Sequence, residues 1–215
     1  MGDGFEVNGV YLRYLFTSLS PTIILRTIMK KCKAIKPIND DSLIKFKDDI
    51  GKQMDMVEAK IVENYELLVM PLVHRFTDGL YSREIELPKG ALVTSRTHLV
   101  QHQFFLMKGK VSVWNNDGQE QIVEAPYVGI TEPNTRRIVY AWEDSMWVTC
   151  HPNPNNEVLE EFEDMIFEFH DNTLLSDEMK EKIQEAKKKA DELSITIDGT
   201  KKLESRQNKE IDNKL

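Results

Sequence analysis

The sequence predicts an α+β fold: a small β-barrel between N-terminal and C-terminal helical arms. Three observations predict it. From residue 80 to 152 apolar and polar residues alternate with a period near two, the signature of half-buried strands. That region is punctuated at short intervals by Pro88, Gly90, Gly109, Gly118, Pro126, Gly129 and Pro133, as in small sandwiches and barrels. On both sides of it the spacing of apolar residues becomes helical. The resulting division is 1–75 as an N-terminal arm with a long amphipathic helix, 76–152 as the barrel, 153–195 as C-terminal helices and 196–215 as a polar tail.

In the N-terminal arm, Ser20 and Pro21 open a helix in "SPTIILRTIMKK" that Pro37 closes. A second helix starts near Asp41 and is closed by Pro71. Its apolar stripe is Leu43, Phe46, Ile50, Met54, Val57, Ile61, Tyr65 and Leu68. The steps of three and four make an eleven-residue repeat, which keeps the stripe nearly straight. Two readings stand side by side: a helix lying on its own domain, and an oligomerisation face that packs on copies of itself. In the barrel, "LYSREIELP" alternates except at Arg83, which falls on the apolar side. "KGKVSVWNNDGQEQIVEAP" predicts a hairpin turning at Asp-Gly. "RRIVYAWEDSMWVTCH" predicts a second hairpin turning at Glu143–Ser145. Beyond it, Leu159, Phe162, Met165, Ile166 and Phe169 share one helical face, and a very polar helix runs from Ser176 to Leu193.

Composition excludes several functions. With 40% hydrophobic and 30% charged residues the chain can bury a core. A net charge of −8 argues against nucleic acid as the main partner, because phosphates select basic surfaces. Cys32 and Cys150 are the two cysteines, so neither a disulfide framework nor a CxxC zinc site is expected. The N-terminus lacks the order of a signal peptide. Arg13, Pro21 and Arg26 interrupt the apolar stretch around them, so a membrane span is not expected.

In "PKGALVTSRTHLVQHQFFLMKG", Gly90 and Gly109 bracket His98 and His102. This segment resembles the first motif of the cupin superfamily, the small jelly roll. The resemblance places His98 on the family's second histidine and His102 where the family has glutamate, with Arg96 in place of the first histidine. In "EPNTRRIVYAW", Pro133 matches the second motif, while Thr135 stands for its glycine and Ile138 for its histidine. More closely, His74 to Pro152 is similar to cupin-like proteins of tailed phages and bacteria.

The candidate metal ligands are His98, His102 and His151. His151 shares one strand face with Trp147 and Thr149, while Met146, Val148 and Cys150 share the other, and either face can be the inner one. A bound cofactor would be a divalent transition metal; the incomplete ligand set leads to the expectation of none. Arg96, Arg136 and Arg137 are candidates for anion binding, or else pair with Glu132, Glu143 or Asp144. Arg96, Tyr140 and Trp142 are the candidate ligand-binding residues, the two aromatics being otherwise core.

The reading drawn from these features is a non-catalytic structural protein of a phage particle, in the head, neck or tail. Its partners would be identical copies and other proteins of the assembly, in the virion or the host cytoplasm. The alternative is a metal-dependent cupin enzyme or a small-ligand-binding cupin.

Overall fold

The computed structural model describes residues 11–13, 40–115 and 118–199, with side chains from residue 51 onward. Eleven strands are present among the described residues: β1 Tyr11–Arg13, β2 Leu72–Thr77, β3 Gly79–Leu87, β4 Ala91–Thr94, β5 His102–Lys108, β6 Lys110–Trp114, β7 Glu120–Glu124, β8 Tyr127–Thr131, β9 Ile138–Ala141, β10 Ser145–Asn153 and β11 Ile195–Asp198. The described helices are α1 Asp40–Asn64, α2 Leu159–Ile166 and α3 Asp177–Leu193.

Strands β3 to β10 form two facing four-stranded arrays, β3-β10-β5-β8 and β4-β9-β6-β7, with every pairing antiparallel. This is the strand order of a jelly roll, in which successive strands change sheet to close the two layers on one another. The fold is therefore α+β, with helices on both sides of the barrel in sequence. The arms also extend the sheets. β1 pairs with β4, while β2 and then β11 extend the other sheet beyond β3, β11 running parallel. That edge is thereby covered by the chain's own flanks rather than left open.

The segment 138–151 departs from the predicted hairpin. β9 and β10 do not pair with each other; they lie in different sheets. The turn between them carries the chain across the barrel. By contrast, β6 and β7 form the predicted hairpin, with Val111 opposite Val123.

Alternation along the strands separates two apolar layers. Val93, Val111, Val113, Val139 and Ala141 face Phe104, Leu106 and Trp147 inside the barrel. Leu92, Trp114, Ile138 and Tyr140 point outward and are covered by Met54, Val57, Ile61 and Val62 of α1 and by Leu175 and Ile183. So at Met54, Val57 and Ile61 the helix lies on its own barrel. Leu43, Phe46 and Ile50 carry side chains outside the described residues, as does the helix expected from Ser20. α1 ends at Asn64, one turn before the predicted end; Tyr65 and Leu68 follow the helix and pack against the barrel.

Polar side chains lock α1 in place. Arg136 donates to Asp55 and Glu58 on α1, and Asn172 Nδ2 donates to Glu58 Oε2 at 2.9 Å. Burial alone would raise the Asp55 carboxyl, but the hydrogen bonds from His170 and Arg136 outweigh it and hold it below the ordinary range. α3 starts where the sequence predicts, with Ser176 accepting a hydrogen bond from the Met179 amide.

Candidate metal centre

The register of β10 settles which of its faces looks inward. Trp147, Thr149 and His151 are buried, whereas Met146, Val148 and Cys150 are half-buried. Cys150 opposes Gln103 on β5, so the next step inward places His151 beside His102, the first residue of that strand. His98 arrives from the loop between β4 and β5. It is fixed there by backbone bridges to Thr135 and Phe167, its amide donating to the Thr135 carbonyl at 2.9 Å.

These three histidines come together. Their exposures are 3% for His98, 4% for His102 and 0% for His151, and one ring nitrogen from each lies within 4.8 Å of the others. The ring centroids of His102 and His151 stand 4.0 Å apart, and those of His98 and His102 4.4 Å. Burial is the main reason that all three stay neutral. It lowers His102 to about 4 and His151 to about 2, and holds His98 well below the usual histidine value. Neutral imidazole is the form that ligates a metal.

The hydrogen bonding fits a metal ion. Buried polar groups in folded proteins nearly always have partners. Here His98 Nδ1, His102 Nε2 and both nitrogens of His151 have none, nor do the hydroxyls of Thr131 and Thr149. His102 Nδ1 lies 3.1 Å from the Val100 carbonyl. A proton donated there leaves the lone pair on Nε2, directed at the cluster, as outer hydrogen bonds do for metal-bound histidines. Ligand bonds of about 2.0–2.1 Å would require the nitrogens to draw together by roughly 1 Å. Rings of Tyr81, Phe162 and Phe167 wall the cluster; the Phe167 centroid is 4.9 Å from that of His98.

A cavity of about 630 Å³ opens beside His98 and is lined in part by Arg83, Arg96, Arg137, Trp147, Thr149 and Glu163. Arg96 thus stands at the cavity, 3.8 Å from Glu163 and with its guanidinium 4.8 Å from the centre of the Phe167 ring. Tyr140 and Trp142 are elsewhere. They pack edge to face on the outer side of the other sheet, under α1, and the Trp142 indole donates to Ser112. The arginines do not take the partners expected from sequence. Arg136 binds Asp55 and Glu58, Arg96 approaches Glu163, and the Arg137 Nε donates to Asn115. Glu163 and Phe167 belong to the C-terminal arm, and no local pattern marks them as cavity residues. Arg83 does carry a local signal: it is the one charged residue on the inward face of its alternating strand, and it lies over Phe167 at 4.7 Å.

No family model matches the chain, and no curated protein matches it. Solved structures do. An acetylacetone dioxygenase from Acinetobacter johnsonii is 18% identical over 42% of this chain and 66% of its own, just under two thirds, with a TM-score of 0.32. An RmlC-like cupin family protein with a double-stranded β-helix fold, from Methanocaldococcus jannaschii, is 13% identical over 40% of this chain and 82% of its own, with a TM-score of 0.34. A cupin-2 domain containing protein from Shewanella frigidimarina is 13% identical over 36% of this chain and 74% of its own, with a TM-score of 0.31. At these scores the likeness carries no argument about activity, and the fold rests on the strand order and register described above.

Proposed function

We propose that the barrel is a metal-dependent module. His98, His102 and His151 hold one divalent transition-metal ion, and the adjoining cavity admits a small molecule, as in a metal-dependent cupin enzyme or a small-ligand-binding cupin. The observation that carries this reading is the convergence of three buried, neutral imidazoles, each with a ring nitrogen that lacks a partner. A histidine cluster left over from a lost site has no reason to keep those atoms unsatisfied, since each costs about 1–3 kcal/mol. For the same reason the structural virion reading draws less support than its alternative.

Three imidazoles leave a fourth coordination position open. When bound, the ion would supply Lewis-acid chemistry to a ligand. The chain's own residues do the rest. The Val100 carbonyl orients His102, the rings of Tyr81, Phe162 and Phe167 wall the cluster with apolar surface, and His98 lines the cavity. Imidazole-only coordination suits zinc, iron, nickel or copper better than calcium or magnesium.

The test is metal titration of the full chain by calorimetry and elemental analysis, beside His98→Ala, His102→Ala and His151→Ala. Near one ion per chain is expected for the wild type, with a loss of at least about 100-fold in affinity in each variant. A wild type that takes up none of these ions, or three variants that bind like the wild type, would overturn the proposal.

A further inference from the structure

We infer that the cavity beside the histidine centre binds a small monocarboxylate with an apolar body, the carboxylate on the guanidinium of Arg137. The inference rests on the reading of that cavity as the ligand chamber of the centre.

Arg137 is the reason for an anion. It is 6% exposed, yet among the described residues no carboxylate lies within ion-pair distance of it. Its Nε donates to the neutral Asn115 side chain at 2.9 Å, and its guanidinium lies 4.8 Å over Phe104 and 6.0 Å over Trp147. Burial lowers its pKa to about 10, so it remains charged at neutral pH. A buried cation is costly unless an anion accompanies it, and ring faces supply only part of that compensation. Arg83 and Arg137 both line the cavity that opens beside His98. An ion held by three neutral imidazoles adds two further positive charges with no carboxylate among its ligands. An anionic guest offsets both.

The walls choose the rest of the ligand. On the barrel side the cavity is lined by Leu87, Val93, Val139 and Trp147, with Met70 and Ile85 extending this apolar wall. Its volume of about 630 Å³ lies within the usual range of small-molecule sites. Glu163 already stands 3.9 Å from Arg83 and 3.8 Å from Arg96, and Lys187, half-buried on the helical side, interacts with Asp191, which leaves Arg137 as the deeply buried recognition group. On the helical side the lining includes exposed Glu160, Asp164 and Asp191. These three acids outnumber Lys187 on the same side, so the mouth repels ligands carrying several negative charges and admits a single carboxylate on an apolar body.

The experiment compares octanoate with 1-octanol by calorimetry, at neutral pH, on the full chain stripped of metal and then loaded with zinc. In the metal-free wild type, octanoate is expected to bind about ten-fold tighter than octanol, a charge-assisted bond's share of affinity. Arg137→Met should remove that preference while leaving octanol binding unchanged, and Arg137→Lys should keep part of it. Equal binding of the two probes by the metal-free wild type overturns the inference, even if Arg137→Met does not fold. So does a preference that appears only with zinc, or one that survives Arg137→Met. The metal titration is read separately: a chain that prefers octanoate but takes up no metal refutes the metal centre and keeps the anion site. A chain that binds metal without that preference does the reverse.

Discussion

Replacing His151 by leucine should separate stability from metal binding. The side chain is fully buried, and neither ring nitrogen has a partner. Each such group costs about 1–3 kcal/mol of desolvation that no hydrogen bond returns. Leucine fills a similar volume without polar atoms, at the expense of ring packing against His102 at 4.0 Å. The net expectation for metal-free His151→Leu is a gain of about 2 kcal/mol, which for a chain of this length raises Tm by roughly 4–8 °C. With zinc at about 100 times its dissociation constant, the wild type should instead gain about 2.7 kcal/mol from the ion, and the variant nothing. The assay is thermal unfolding with chelator and with zinc. A metal-free variant less stable than the wild type by more than about 1 kcal/mol would refute the reasoning. So would a variant that keeps the zinc-induced shift.

Three further outcomes follow from the same packing. His74, His98, His102 and His151 are buried and depressed, mainly by desolvation, so the unfolded chain takes up their protons first as pH falls. Their contribution is fully present above about pH 6.5 and is lost toward pH 4 and below, at up to about 1.4 kcal/mol per pH unit for each histidine; denaturant midpoints measured from pH 8 to 4 that stay flat would contradict this. Arg136→Met removes the cation shared by Asp55 and Glu58 under α1 and should destabilise by about 3–5 kcal/mol, read from urea unfolding, because it leaves buried carboxylates uncompensated. Gly109→Ala should destabilise by more than about 1 kcal/mol, whereas the same change at a compatible backbone position stabilises slightly. The glycine has φ of +86°, and an added Cβ would meet the Asp144 carbonyl oxygen at 2.6 Å; a variant with an unchanged Tm would show that the β5–β6 turn relaxes freely.

Much of the fold can be read from local pattern, because local pattern is what forms strands, turns and caps. Period-two alternation marks the barrel, Ser176 caps α3, and Asp-Gly marks the β6–β7 turn. Alternation says that a strand has two faces, but not which strand lies beside it. Hence β9 and β10 resemble a hairpin in sequence although each pairs within a different sheet. His98 and His102 are legible as a pair because a motif-like spacing brackets them. For His151 the sequence offers two strand faces of mixed polarity, and only the packing of β10 against β5 turns it inward.

Local pattern suffices for an α+β chain with a central barrel, its helical flanks and three candidate histidines. The tertiary structure alone decided that the three converge, that Tyr140 and Trp142 lie beneath α1 rather than in the cavity, and that Arg137 is buried without a carboxylate. The physical reason is distance along the chain. His98 and His151 are separated by most of the barrel, and the partners of Arg96 and Arg136 sit on α2 and α1. Those relations exist only once closure of the two sheets brings remote segments to one point.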